Sequence, residues 1–200
     1  MLIDVDEILG MQESAVDRWH KHGINNPFSG FVQIACHQCA LNYRLWHQED
    51  IARSPHAADT ELAQVKRRID KLNQQRNDHI ELMDDWIAVS LERLGLVAAE
   101  DAPLNTETPG SVIDRLAILA LRLYHLEEQI QRADVDVAHR ESVTAKRTVC
   151  LEQRADLATS LKQLLRDIAQ GSKRHKIYRQ FKMYNDPALN PYMYQTRDAA

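Results

Sequence analysis

The stretch DTELAQVKRRIDKLNQQRNDHIELMDDWIAVSLERLG, residues 59–95, has no proline, and its single glycine is its last residue. Its apolar residues recur every three or four positions, a spacing that predicts one long amphipathic α-helix. This apolar stripe comprises Val65, Ile69, Leu72, Ile80, Met83, Ile87, Leu91 and Leu94, with Arg76 at one position within it. Such a helix would be roughly 50 Å long, so only helices of similar length could cover its apolar side.

Four more segments with the same periodicity surround this helix. They predict helices over residues 4–21, 30–53, 109–132 and 135–170. Ser29, Asp59 or Thr60, and Thr108 are the predicted N-caps of the second, third and fourth helices, with Pro109 at the first helical position and Gly171 ending the fifth. The fold class is therefore all-α: an antiparallel bundle of four long helices with an additional N-terminal helix and a C-terminal arm.

The chain of 200 residues is predicted to form a single helical domain. Its parts are an N-terminal helix and turn over residues 1–27, the four-helix bundle over 28–170 and a basic and aromatic arm over 171–200. The arm is expected to begin with a short helix to about Tyr184 and then to be anchored by its aromatic residues. Its basic run comprises Lys173, Arg174, His175, Lys176, Arg179 and Lys182.

Composition excludes several function classes. A net charge of -4 argues against nucleic-acid binding, and the negative remainder of the chain favours an arm that folds back on acidic residues over one that binds phosphate or an acidic partner. The sequence contains no run of 18 apolar residues, so no membrane span is predicted. Cys36, Cys39 and Cys150 cannot all pair, which favours buried free thiols and a cytoplasmic location. The oligomeric state stays open.

A polar stripe lies beside the apolar one on the third predicted helix. It comprises Lys66, Asp70, Asn73, Asn77, Glu81 and Asp84. Asparagine disfavours helix interiors because its side chain competes for backbone hydrogen bonds. Asn73 and Asn77, one turn apart, therefore favour the wall of a polar cavity over the rim of the core.

The second predicted helix contains NYRLWHQED, residues 42–50, in which Tyr43, Trp46, His47 and Asp50 share one face. His47 and Asp50 can converge on one ligand, and their spacing resembles the Glu-x-x-His pairs that hold metal ions in helical bundles. Surface salt bridges with nearby arginines are the alternative. Gln48 and Glu49 are expected to face elsewhere.

The fourth predicted helix supplies Asp114 and His125, which lie three turns and roughly 16 Å apart and could bound the two ends of an elongated pocket. Glu107 and Thr108 precede its first turn, where free N–H groups suit an anion. Ordinary helix capping is the alternative for these two residues.

The motifs LWHQEDIAR, IDKLNQQRND, PLNTETPGSVIDRLAILALRLYHL, LEEQIQRAD, LEQRADLATSL and YRQFKMYNDPALNPYMY together resemble the bacterial family called domain of unknown function 4254. The resemblance covers roughly residues 28–194. It implies an association with surface-glycan and glycosyltransferase systems, and it carries no established activity. It maps the family's characteristic positions onto Trp46, His47, Glu49, Asp50, Asp70, Asn73, Arg76, Asn77, Glu107, Thr108, Pro109, Gly110, Asp114, Arg115, Tyr124, His125, Tyr184, Asn185, Pro187, Asn190 and Pro191.

Two functions follow as expectations. The first is a pocket for a phosphorylated or sugar-containing small molecule, with or without a divalent metal and with or without turnover. Its ligand-binding residues are predicted to be His47, Asp50, Asp70, Asn73, Asn77, Glu107, Thr108, Asp114, Arg115, Tyr124 and His125. The metal-ligand candidates are His47, Asp50, Asp70 and Asp114, and the acid/base candidates are His47 and His125. The second is a non-catalytic scaffold that docks a glycan-synthesis protein.

Overall fold

The computed structural model describes residues 3–181 and 183–194, with only the backbone of Tyr184. Within these residues the chain forms five long helices, and the predicted all-α bundle is confirmed. The long helices are α1 (Val5–His22), α2 (Gly30–Ala52), α3 (Asp59–Arg93), α4 (Pro109–Gln131) and α5 (Val137–Ala169). A 3₁₀ turn (Met183–Asn185) and a short helix α6 (Pro191–Tyr194) follow in the arm.

Helix α4 lies at the centre and contacts each of the other four long helices. A helix enclosed in this way must be apolar on most of its surface. Val112, Ile113, Leu116, Ala117 and Leu121 are accordingly buried on α4. Helix α3 packs mainly on α2, and α5 packs mainly on α4.

Helix α1 is an integral part of the core. Ile8, Val16 and Trp19 are almost completely buried against the bundle. The buried Gln12 side chain donates a hydrogen bond of 3.0 Å from Nε2 to the Ile113 carbonyl of α4, which fixes the position of α1 along α4. The polar residues near the end of α1 are therefore held beside α2 and α4.

The closest approach of α3 and α4 occurs at Gly110. A Cβ atom there would lie 2.6 Å from the Ile80 carbonyl oxygen and 2.9 Å from Asp84 Cγ. The buried Asp84 carboxylate accepts a 2.8 Å hydrogen bond from the Gly110 N–H, and Thr108 Oγ1 accepts one from the Ser111 N–H, as its predicted N-cap role requires. Free N–H groups at the start of α4 are thus satisfied partly from α3.

The predicted cap of α3 is wrong. The helix begins one residue earlier than expected, with Ala58 at the N-cap, and neither Asp59 nor Thr60 occupies that position. Asp59 and Glu61 lie in the first turn instead, where negative charge still favours the helix dipole. Ser29 is the N-cap of α2, as predicted, without a side-chain capping hydrogen bond.

The start of the C-terminal arm also differs from the prediction. Residues 173–181 form no helix, because Arg174 pairs with Leu104 and its N–H bonds to the Pro103 carbonyl. His175 Nε2 lies 2.9 Å from the Asp84 carbonyl oxygen, and Arg179 binds Glu81 and Asp85 at 3.1 and 2.8 Å. The arm thus folds back on acidic residues of α3. Lys182, the Tyr184 side chain and residues 195–200 lie outside the described residues.

The prediction that aromatic side chains anchor the arm is wrong for those that the structure describes. Phe181 is 87% and Tyr192 is 96% exposed, so basic residues hold the arm. The three cysteines are buried free thiols, as predicted, and burial raises the pKa of Cys36 to about 11. None of the helices in the described part of the chain combines the length and apolar content needed to cross a membrane.

Gly110→Ala should destabilise the fold by about 1–3 kcal/mol, because its Cβ would collide with backbone that cannot move aside. Gly10→Ala is the matched control, because a Cβ in that helical position meets no atom within 4 Å. It should stabilise the protein by about 0.5–1 kcal/mol. Urea unfolding measures both; equal effects would contradict the close α3–α4 contact.

Asp84→Asn should alter how stability depends on pH. Burial raises the pKa of Asp84 above 3.8, against the opposing effects of Thr108, Gly110 and His175, while Asp85 raises it further. The wild type should therefore lose stability relative to Asp84→Asn as the pH rises from about 3.8 through the raised pKa, because the folded state must then ionise a buried carboxyl.

The measurement is urea unfolding of both proteins across that pH range. Asp101→Asn, at an exposed position in the α3–α4 loop, is the control. A stability difference between wild type and Asp84→Asn that stays constant with pH would contradict the assigned burial effect.

Candidate functional site

The Asp114 carboxylate is the most completely bonded buried charge between α2, α3 and α4. It is 3% exposed and accepts hydrogen bonds from Gln38 Nε2, from Asn42 Nδ2 at 3.0 Å and from Arg76 Nε at 2.7 Å. Arg76 also bonds through Nη2 to the second carboxylate oxygen. We call Gln38, Asn42, Arg76 and Asp114 the Asp114 network.

The Asp114 network neutralises the buried charge. The hydrogen bond to Asp114 raises the pKa of Arg76 further above its ordinary value, so the guanidinium remains charged. Paired, two-point contact of this kind fixes the plane of an arginine side chain. Asp114 therefore orients Arg76, and its own oxygens are already occupied by protein donors.

A cleft of about 420 Å³ lies between α2, α3 and α4, beside the Asp114 network. Its lining combines apolar residues with amides and both signs of charge, a composition typical of small-molecule sites. The lining residues are Asn42, Leu45, Trp46, Glu49, Asp50, Arg53, Asn73, Arg76, Ile118 and Leu121. Glu49, which was expected to face elsewhere, pairs with Arg53 in this lining.

Only part of the predicted site meets in the cleft. Asp50 and Asn73 line it, and Asp114 lies behind it. Asp70 instead pairs with Lys66 on the surface, and Glu107 pairs with Arg115 at 3.9 Å. Thr108 caps α4, and Arg115 lines a separate groove between α4 and α5. Asn77 is outside the cleft lining.

A second cluster contains the two predicted histidines and one that sequence reasoning missed. His20 from α1, His47 from α2 and His125 from α4 each place one ring nitrogen within 4.8 Å of the others. We call these three residues the histidine triad. The ring centroid of His20 lies 5.2 Å from that of His47 and 5.1 Å from that of His125.

Hydrogen bonds through Nδ1 orient two of the triad rings. The Nδ1 atom of His20 lies 2.8 Å from the Val16 carbonyl oxygen, and that of His125 lies 2.7 Å from a Glu128 carboxylate oxygen. His47 Nδ1 faces Asp50 at 3.6 Å. The Nε2 atoms of all three rings are buried and have no hydrogen-bond partner among the described residues.

Aromatic side chains hold the triad on both sides. Tyr124 stacks on His20 at 3.9 Å, and Trp46 stacks on His125 at 4.8 Å between ring centroids. Burial lowers the pKa of His47, and the neighbouring His20 and His125 lower it further, against the opposing effects of Asp50 and Glu128. Neutral imidazole is thus favoured at His47.

His20 could have drawn attention only through its place near the end of an amphipathic helix, next to Trp19. His20 and His47 lie on different helices, so no spacing within one helix indicates that they meet. Gln38 and Asn42 were missed for the same reason, since their shared partner lies on α4.

The fold and these sites define an all-α bundle protein whose polar residues converge between helices. The sequence model of the family described as "Protein of unknown function (DUF4254)" matches residues 32–177, and the chain belongs to that family. No curated protein and no solved structure matches the chain. His20 lies outside the matched residues.

Asp114→Asn should lower the free energy of unfolding by about 3 kcal/mol, because it leaves Arg76 without its counter-ion. The value is at the low end for a buried pair because the Arg76 side chain is 26% exposed. Asp70→Asn breaks an exposed pair and should cost less than about 1 kcal/mol. Chemical denaturation of both variants tests the difference, and equal losses would contradict the role of the Asp114 network.

Proposed function

We propose that the protein binds a small phosphorylated or sugar-containing molecule in the cleft between α2, α3 and α4. One observation carries the proposal: Arg76 lines the cleft while Asp114 holds its guanidinium in a fixed plane. A donor whose orientation is set before binding loses little entropy when a ligand arrives.

Arg76 retains donors for such a ligand. Arginine has five N–H groups, and the contacts to Asp114 use only Nε and Nη2. Within the described residues, Nη1 has no hydrogen-bond partner. A planar guanidinium suits phosphate or carboxylate oxygens.

The rest of the lining supports a polar ligand of moderate size. The Asn73 side-chain amide lines the cleft and makes no hydrogen bond to another described residue. Leu45, Ile118 and Leu121 provide apolar surface beside it. A ligand with both hydroxyl groups and a negative charge would satisfy the amide and the guanidinium together.

A docking role is the second candidate, with a glycan-synthesis protein as the partner. It is favoured by the aromatic residues of the arm, of which Phe181 and Tyr192 are largely exposed. Arg179 and His175 attach this arm to α3, so its aromatic surface is presented in a defined place. The arm and the cleft use different residues, so cleft substitutions separate the two functions.

Asn73→Leu should raise thermal stability, because leucine is the better helix former, and weaken ligand binding about tenfold, because one hydrogen bond is lost. Asn77→Leu, one turn along α3 and outside the cleft lining, should raise stability without changing binding. Calorimetric titrations with inorganic phosphate, glucose and glucose 1-phosphate measure affinity.

Glucose 1-phosphate is expected to bind the wild type more tightly than either fragment. If none of the three probes binds, or if Asn73→Leu and Asn77→Leu bind the probe equally well, the proposed cleft function is wrong.

A further inference from the structure

We propose that His20, His47 and His125 bind one divalent transition-metal ion of the zinc class, with a fourth coordination position left for water. This site goes beyond the proposed cleft function, and none of its three ligands lines the cleft. It rests on the ring orientations, the unpartnered nitrogens and the placement of the triad on three helices.

The Nδ1 contacts determine where the protons lie. A carbonyl oxygen only accepts hydrogen bonds, so the 2.8 Å contact of His20 Nδ1 with Val16 requires a proton on that nitrogen. The Glu128 carboxylate imposes the same tautomer on His125 when ionised. In the neutral rings of His20 and His125 the lone pair then lies on Nε2, which is the form that binds a metal. His47 has the same form when its proton lies on Nδ1, which faces the Asp50 carboxylate at 3.6 Å.

The buried Nε2 atoms lack the partners that such lone pairs need. Buried polar atoms are nearly always hydrogen-bonded, because leaving one unpaired costs its full desolvation penalty. Here the Nε2 atoms of three adjacent rings are buried without a partner in the described part of the chain. A single cation shared by the three nitrogens removes all three deficits and the repulsion among the lone pairs.

The observed spacing is close to what a metal requires. Tetrahedral coordination at about 2.1 Å places ligand nitrogens about 3.4 Å apart. One ring nitrogen of each triad residue lies within 4.8 Å of the others, and rotation of the rings toward a shared ion would shorten these distances. The stacked Tyr124 and Trp46 rings keep the imidazoles near these orientations.

The donor set selects the kind of ion. Imidazole nitrogen suits zinc, copper, nickel and iron, whereas magnesium and calcium prefer oxygen ligands. Among the described residues, no Cys, Asp, Glu or fourth His joins this group as a further ligand. Three protein nitrogens with one position for water is the arrangement of catalytic rather than structural zinc sites.

The residues around the triad match the support that metal-binding histidines usually have. Glu128 and Asp50 face Nδ1 of His125 and His47, as carboxylates do in carboxylate–histidine–zinc arrangements. Asp50 and Trp46 also line the cleft, so the metal centre and the cleft would share a wall.

The test uses the tag-free full chain, stripped with a chelator and titrated with Zn²⁺ by calorimetry, with melting temperature as a second readout. The wild type should bind one equivalent and melt at a higher temperature with zinc than without it. His20→Ala, His47→Ala and His125→Ala should each lose more than about 100-fold in affinity, beyond the loss typical of a change in a ligand's supporting residues.

His79→Ala is the matched control. The Nδ1 atom of His79 contacts the carbonyl of Gln75 one turn earlier at 2.9 Å, just as His20 contacts Val16, but His79 lies outside the triad. This variant should keep the wild-type equivalent of zinc. Glu128→Gln, which alters an exposed partner and no ligand, should bind about 10–100-fold more weakly and remain folded.

Substitution with Co²⁺ reports the geometry, because four-coordinate Co²⁺ absorbs visible light far more strongly than six-coordinate Co²⁺. The wild type and His79→Ala should give the intense spectrum, and the folded triad variants should not. The site is refuted if the wild type binds no stoichiometric Zn²⁺, or if the triad variants bind it as tightly as His79→Ala does.

Discussion

The buried Asp114 carboxylate is the constraint on which the polar half of the structure depends. A charge with 3% exposure must be compensated by nearby donors, and here these come from two other helices. Meeting that requirement fixes α2 and α3 in register against α4. The same requirement leaves Arg76 in the wall of the cleft, with its guanidinium plane already set.

Helix α4 organises both sites because it is surrounded by the other long helices. Its buried faces contact α1, α2, α3 and α5, so a polar residue on α4 can meet partners from several directions. Asp114 meets α2 and α3, and three turns later His125 meets α1 and α2. The two ends were expected to bound one elongated pocket, whereas the structure surrounds each with its own set of side chains.

The two ends differ in how well their polar groups are satisfied. Around Asp114 both carboxylate oxygens have donors, and Gln38 Oε1 is a buried atom of the Asp114 network without a hydrogen-bond partner among the described residues. In the histidine triad the Nδ1 atoms of His20 and His125 have acceptors, but the three Nε2 atoms have no partner within the described chain. Unpartnered nitrogens on three adjacent rings are costly in a purely structural cluster, and this is the observation behind the proposed metal site.

Helical periodicity and capping are local properties of the chain, so the sequence was enough to predict the long helices, the all-α class and several residues that line the cleft or the triad. His47, Asp50, Asn73 and His125 were identified from spacing on single helices. Which of them meet depends on how the helices pack against one another. The tertiary structure brought His20 of α1 into the triad, supplied Gln38 and Asn42 to Asp114, and drew residues of the arm onto Glu81 and Asp85 in place of a helix. These contacts join residues far apart in the chain, and their energies depend on burial and on the packing of α4, which no local pattern encodes.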